Sequence, residues 1–224
     1  MTTRLFLVRH GATVLTAEDR FAGSTNVLLS DEGREQARRL GERLHGEAIA
    51  AVYASPLTRT METARLLAEP HRLSIQPVEA LREIDHGRWE ERTRAEVEKL
   101  YPEEYTSWEA DPYTFAPEGG ETGLSVTARA LPAILSIVSA HPGHTVLVVS
   151  HKATIRLLLS SLLGFDPRTY RDRLDQSPAC LNVLDFKEPG RARLTLFNDI
   201  SHYAPPPFGA PAPPSKRLSP WWGS

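Results

Sequence analysis

Two histidines in this chain each stand at the end of a hydrophobic run with a cation beside them. Leu5-Phe6-Leu7-Val8 leads into Arg9-His10-Gly11, and Val146-Leu147-Val148-Val149 leads through Ser150 into His151-Lys152. A third stretch, Ser55-Pro56-Leu57-Thr58-Arg59-Thr60, places another guanidinium behind the strand-like residues 50–54. A fourth, Leu81-Arg82-Glu83-Ile84-Asp85-His86-Gly87, carries two carboxylates. Apolar, β-branched runs without alternation read as strands covered on both faces. Ligands of open α/β sheets bind beyond the carboxyl ends of the strands, so these stretches belong to one rim. Two guanidiniums and two imidazoles there suit a phosphoryl dianion, with the arginine forks on its oxygens and helix N-termini adding to the pull. Gly11, lacking a Cβ, lets an anion approach the backbone. A neutral His10 can attack phosphorus and carry the phosphoryl group covalently. Glu83 or Asp85 would then protonate the departing alkoxide and later take a proton from water. The arginines would repel a metal ion and no carboxylate cluster offsets them, so neither metal nor cofactor is expected.

The elements that must hold these groups can be read from periodicity and punctuation. Residues 12–29 read as a loop containing Gly23, Ser24 and Asn26. Ser30 caps a helix that runs to His45, with Ala37, Leu40 and Leu44 on one face. Pro56 suits the first turn of a second helix, which turns Met61, Ala64, Leu67 and Ala68 inward. Residues 73–78 form a weaker strand and residues 93–101 a short helix. A long helix from about Thr122 to Ala140 would place Leu124, Ala128, Leu131, Leu135 and Val138 inward, with Pro132 kinking or splitting it. An apolar helix follows His151 and closes at Gly164. Residues 181–186 and 193–197 read as a final strand pair. Strands alternating with helices predict a three-layer, doubly wound α/β fold whose sheet is mostly parallel with one antiparallel edge strand.

At 224 residues the chain has length for one such domain, expected over 1–203. A formal net charge of −2 offers no global field for nucleic acid or an anionic membrane. No apolar stretch reads as bilayer-spanning, and no signal-peptide pattern opens the chain. The single cysteine, Cys180, excludes an intrachain disulfide and a cysteine-rich metal site. A cytoplasmic protein is expected, with a small-molecule phosphate ester as partner and a homodimer as the assembly considered. Residues 204–224 hold seven prolines followed by Trp221-Trp222. This tail is expected to be extended and to affect substrate access or subunit contact rather than chemistry.

The set Arg9-His10-Gly11, Ser55-Pro56-Leu57-Thr58-Arg59-Thr60-Met61-Glu62-Thr63-Ala64, Glu83-Ile84-Asp85-His86-Gly87, Gly119-Gly120-Glu121-Thr122 and Ser150-His151 resembles the histidine phosphatase superfamily over residues 3–203. The resemblance implies a phosphoglycerate mutase-like fold and a phosphohistidine mechanism. It makes His10 the nucleophile, Glu83 the proton donor, and Arg9, Arg59 and His151 the phosphate pocket. Thr16, Gly23, His86, Lys152 and His202 are the candidate substrate contacts. Thr16 stands where the family commonly has an asparagine touching the phosphate, and Lys152 adds an amine where phosphatases often have glycine. Ser150-His151-Lys152 and the compact 84–122 segment favour a phosphatase over a cofactor-dependent phosphoglycerate mutase. The implied substrates are small phosphorylated metabolites: phosphoserine, sugar phosphates, phosphoglycerates or α-ribazole phosphate. The competing reading of another class is an inactive phosphate- or partner-binding module.

Overall fold

The apolar run before Arg9 becomes an inner strand of a six-stranded sheet. The computed structural model describes residues 1–18 and 20–204, so the proline-rich tail and Trp221-Trp222 lie outside the described residues. The strands are β1 (Thr3–Arg9), β2 (Ile49–Ala54), β3 (Ile75–Pro77), β4 (Thr145–Ser150), β5 (Leu181–Glu188) and β6 (Arg191–Asp199). They lie in the order β3-β2-β4-β1-β5-β6. β1 is parallel to β4, and β2 is parallel to both β4 and β3. β5 runs antiparallel to β1 and to β6, so the antiparallel strand sits one place in from the edge that β6 forms.

The helices are α1 (Val14–Ala17), α2 (Asp31–Leu44), α3 (Thr58–Ala68), α4 (Arg94–Leu100), α5 (Pro102–Ala110), α6 (Gly123–Ala140), α7 (Lys152–Leu163) and α8 (Tyr170–Arg173). Alternate residues of the inner strands face opposite layers. Leu5, Leu7, Val146 and Val148 pack with Ala130, Ile134 and Ile137 of α6 and Ile155, Leu158 and Leu159 of α7. Phe6, Val8, Leu147 and Val149 pack with Leu40 and Leu44 of α2 and Ala64, Leu67 and Ala68 of α3. A separate aromatic cluster of Phe21, Trp89 and Trp108, with Tyr101, Tyr105 and Phe115 against it, holds α4 and α5 beside the rim.

Several local expectations change. Residues 12–29 contain α1, and α5 follows α4 after a single residue, Tyr101. Pro56 precedes α3 rather than opening it, because Leu57 is the extended N-cap. Pro132 neither ends nor splits α6, since it lies on the exposed side, where water can solvate the carbonyl it leaves unpaired. That helix is apolar nearly all round, so its phase is set by packing: Val126, Ala130, Ile134, Ile137 and Val138 are buried and Leu124 is exposed. With 18 residues at a hydropathy of 1.5, α6 is also long and apolar enough to cross a membrane, contrary to the sequence expectation. In this fold it lies on the sheet instead.

The start of α2 is pressed against the loop leaving β1. Ser30 Oγ accepts from Gly33 N at 3.1 Å, and Gln36 Oε1 accepts from Ala12 N at 3.1 Å. A Cβ on Gly33 would stand 2.0 Å from the Ala12 carbonyl oxygen, and one on Gly11 would stand 2.3 Å from that of Gly33. Glycine to alanine in a helix ordinarily stabilises by about 0.4–1 kcal/mol. Backbone-on-backbone overlap reverses that sign here. Gly33→Ala is expected to cost about 1–3 kcal/mol in urea unfolding. Gly46→Ala, whose Cβ meets nothing within 4 Å, is the neutral control. Equal stability of the two variants would contradict the packing described.

Candidate active site

β1 and β4 are neighbours, yet the helices that follow them, α2 and α7, leave on opposite faces of the sheet. That divergence opens a crevice at the strand ends. The rim is pinned by backbone: His10 N donates to Ser150 O at 3.0 Å, Ser55 N to Val149 O at 3.0 Å, and Ala179 N to His10 O at 3.0 Å. A cavity of about 350 Å³ lies over it, lined by Arg9, His10, Thr16, Gly23, Arg59, Glu83, His86 and Lys152 among others. Eight of the ten residues singled out from sequence therefore meet around one cavity. His151 stands behind them, fully buried, its ring centroid 5.3 Å from that of His10. His202 does not join them. Its ring meets that of Tyr203 edge to face, and it lines a separate depression with Arg39 and Arg43, because it follows the edge strand β6, two strands away from β1.

The His10 ring is oriented for nucleophilic use. Its Nδ1 lies 2.7 Å from the Gly11 carbonyl oxygen, which can only accept, so Nδ1 carries the proton of the neutral ring and Nε2 keeps its lone pair. Burial, reinforced by the charges of Arg59 and Arg9, holds the His10 pKa well below the usual histidine value. His151 is held down in the same way, by burial and then by Arg59 and His10. Its Nε2 is 2.7 Å from Ser55 Oγ, and its Nδ1 has no partner among the described residues.

Arg9 and Arg59 are buried, and neither forms an ion pair among the described residues. Arg9 Nη1 donates to Gln176 O at 2.6 Å. Arg59 donates from Nη1 to Thr25 O and from Nη2 to Gly23 O, both at 2.7 Å. The Nε of each guanidinium is buried without a partner among the described residues. Burial lowers both pKa values, that of Arg59 to about 10, and leaves it a cation at neutral pH. Gly23 thus contributes a carbonyl to Arg59. Its φ of +43° and the 2.1 Å that would separate a Cβ from Glu90 Oε1 require glycine there.

Glu90, which sequence reasoning passed over, organises that loop. Its carboxylate accepts from Ser24 N at 2.6 Å, from Ser24 Oγ at 2.9 Å and from the Thr25 hydroxyl. Burial alone would raise its pKa, but these donors bring it below the ordinary carboxylate range. No spacing pattern distinguished it from the acids around it. Arg129 of α6 was also missed: it donates to the carbonyls of Ala80, Arg82 and Glu83 and pairs with Glu121, fixing the segment that carries the site carboxylate.

Glu83 is clamped at the start of α7. Oε1 accepts from Thr154 N and Ile84 N, and Oε2 from Ala153 N, each at 3.1 Å. Asp85 is not among the residues lining the cavity, and it accepts from Gly87 N at 2.7 Å and from Ser24 Oγ at 3.2 Å. The first amide of α3 is also taken, Thr58 N donating to Asn26 Oδ1 at 2.9 Å. Side chains therefore occupy the helix N-termini expected to attract an anion, and the cavity's positive charge comes from side-chain cations. Thr16 Oγ1 accepts from Thr13 N in the capping box of α1, which limits what it can offer a ligand. His86 packs on Phe21 at 4.7 Å, its pKa lowered by burial. Lys152 opens α7 with its pKa brought down to about 7 by burial, then by Arg156 and Arg9. Arg94, Trp108, Arg156 and Tyr170 complete the outer wall and were not foreseen, although Arg156 lies one helical turn from Lys152.

Comparison with known proteins places this geometry. Residues 5–200 match the family described as the histidine phosphatase superfamily (branch 1). The chain is 35% identical over 163 residues to phosphoserine phosphatase 1 of Hydrogenobacter thermophilus, across 73% of this chain and 77% of that one. It is 30% identical over 186 residues to the adenosylcobalamin/alpha-ribazole phosphatase of Escherichia coli, across 83% and 91%. The solved structure of Bacillus stearothermophilus YhfR superposes with a TM-score of 0.83 at 32% identity, covering 89% of this chain and 98% of that one.

The Glu90 network yields a measurable expectation. Glu90→Ala strands the donors of residues 24 and 25, so it should cost about 2–3 kcal/mol in urea unfolding. Because the pKa of Glu90 is depressed, its contribution is present above the ordinary carboxylate range and disappears as pH falls through the lowered value. Inorganic phosphate should also bind more weakly, since the carbonyls that hold Arg59 lose their anchor. Unchanged stability and unchanged phosphate affinity would refute this role.

Proposed function

The chain belongs to the histidine phosphatase superfamily, and from that premise we propose that it hydrolyses a small phosphorylated metabolite through a phosphohistidine at His10. The observation that carries this reading is the His10 tautomer. Nδ1–H is donated to the Gly11 carbonyl at 2.7 Å, so the lone pair of Nε2 is the one available to phosphorus. Its neutrality under two buried guanidiniums supports the same role. In the first step Nε2 bonds to phosphorus and the ester P–O bond breaks, its electron pair leaving on the alkoxide. Arg9 and Arg59 carry charge opposite to that on the equatorial oxygens, which is most of what such a transition state asks of a protein.

The departing oxygen takes a proton from Glu83. Glu83 lines the cavity and Asp85 does not, which favours the former as donor. In the second step water attacks phosphorus, Glu83 accepts its proton, the P–N bond breaks and inorganic phosphate leaves. His151, hydrogen-bonded through Nε2 to Ser55, is assigned to the phosphate pocket with its Nδ1 as the remaining polar atom. Because guanidiniums supply the positive charge, the reaction is proposed to need no metal.

Three measurements bear on this. His10→Ala should lower kcat by roughly three orders of magnitude or more, since the covalent route is lost. Glu83→Gln should lower turnover of an alkyl phosphate by about 10²–10⁴ and that of p-nitrophenyl phosphate far less, because nitrophenolate leaves with little protonation. Activity should persist in EDTA. Near-normal turnover by His10→Ala, equal losses on both esters, or full loss in chelator would each overturn the corresponding assignment.

A further inference from the structure

The cavity holds more positive charge than one phosphoryl group can use. Arg9 and Arg59 lie at its floor, and Glu83 and Asp175 are the acids on its lining. Five further cations face it. Two of these have their own carboxylates: Arg20 pairs with Glu18 and Glu96, and Arg171 with Glu109 and Asp172. Three are left. Lys152 and Arg94 form no ion pair among the described residues. Arg156 reaches only Asp175, at 3.3 Å, an acid whose side chain is 63% exposed and which also accepts from Gln176 N.

The three stand on elements that converge. Lys152 and Arg156 are four residues apart on α7, so they lie on one helical face about 5–6 Å apart at their Cβ atoms. Arg94 approaches from α4, its guanidinium 5.1 Å over the Trp108 ring. Arg156 is 5% exposed and its Nε is buried without a partner among the described residues. Keeping such groups charged away from water is costly unless an anion joins them. The depressed pKa of Lys152, with Arg156 the largest charge acting on it, reports the same crowding. Trp108 and Tyr170 wall the space, and the Tyr170 hydroxyl, pushed up to about 12 by burial, remains a proton donor.

We propose that Lys152, Arg156 and Arg94 form a second anion subsite, so that the preferred substrate is a phosphomonoester whose leaving alcohol carries another anionic group, a carboxylate or a second phosphoryl. The inference rests on the phosphatase reading above and specifies its substrate class. A cavity of about 350 Å³ suits a small metabolite rather than a phosphorylated protein segment.

The test compares kcat/KM for 3-phosphoglycerate, fructose 1,6-bisphosphate and glycerol 3-phosphate, with p-nitrophenyl phosphate as the common reference. Wild type should prefer one or both anionic alcohols over the neutral one by roughly tenfold or more, mainly through KM, as expected for a charge-assisted hydrogen bond. The first substrate reports a carboxylate and the second a phosphoryl group. Lys152→Met and Arg156→Met should each shrink that ratio severalfold. The Tm increment given by 3-phosphoglycerate over glycerol 3-phosphate tracks the subsite without catalysis, including in a variant that turns over poorly. A wild-type ratio near one with both anionic esters, or ratios and Tm increments unchanged in Lys152→Met, would overturn the subsite. Failure to hydrolyse any ester would overturn the phosphatase reading, while the Tm increments would still decide the subsite.

Discussion

A buried guanidinium with no carboxylate in contact governs this molecule. Arg59 is buried, and among the described residues only the carbonyls of Gly23 and Thr25 hold its two terminal nitrogens. Removing a cation from water costs several kcal/mol, and neutral carbonyls return only part of that. The rest of the site follows from keeping this charge where it is. The loop at 23–25 must adopt one conformation, which needs the positive φ of Gly23 and the carboxylate of Glu90 beneath Ser24 and Thr25. Burial holds the His10 and His151 imidazoles neutral, and the charge of Arg59 adds to that effect. A carboxylate pressed against Arg59 would ease the burial but would also cancel the attraction for a phosphoryl dianion. The fold keeps the acid at one remove.

The same economy explains how the helix ends are used. An exposed helix N-terminus is a ready anion site, and two of them, those of α3 and α7, open at this rim. Asn26 occupies the first amide of α3, and Glu83 the amides of residues 153 and 154. These contacts turn the amides into supports. The α7 contacts set the height of Glu83 above the sheet, with Arg129 gripping the carbonyls behind it. Charge at the floor is left to arginines whose forks can reach individual oxygens. The imidazole, the guanidiniums and the carboxylate are each locked by backbone groups, so little reorganisation is left for the moment of reaction.

Sequence was informative where a residue's role depends on its place in an element and poor where it depends on which elements meet. The central runs of β1 and β4, Leu5 to Val8 and Val146 to Val149, are apolar because both faces are covered, and that pattern located His10 and His151. The Ser30 cap marked the start of α2 for a similar reason: its hydroxyl serves Gly33 three residues on. The phase of α6 could not be read, since nearly every side of it is apolar and only packing chooses between two stripes. His202 was misplaced because nothing local says that its strand lies two places from β1. Glu90 and Arg129 were invisible as organisers, since the loop donors that Glu90 holds lie 65 and 66 residues away in the chain and the carbonyls that Arg129 holds lie 46 to 49 away.

Three of the four residues missed on the cavity wall share one origin, and it separates the two jobs of the site. Arg94, Trp108 and Tyr170 come from α4, α5 and α8, helices of 7, 9 and 4 residues with too few turns to show an apolar stripe. They are held by the aromatic cluster around Trp89 and by the smaller one around Ile84 rather than by the sheet core. The floor is built differently: Arg9 ends β1 and His10 follows it, His151 follows β4, and backbone hydrogen bonds tie those strand ends together. A substitution on the wall therefore disturbs a local aromatic contact, whereas one at the floor disturbs the central strands. Such a division lets the group beyond the phosphoryl meet side chains of α4, α5 and α8 that carry no part of the sheet, while His10 and His151 stay fixed by hydrogen-bonded strand ends.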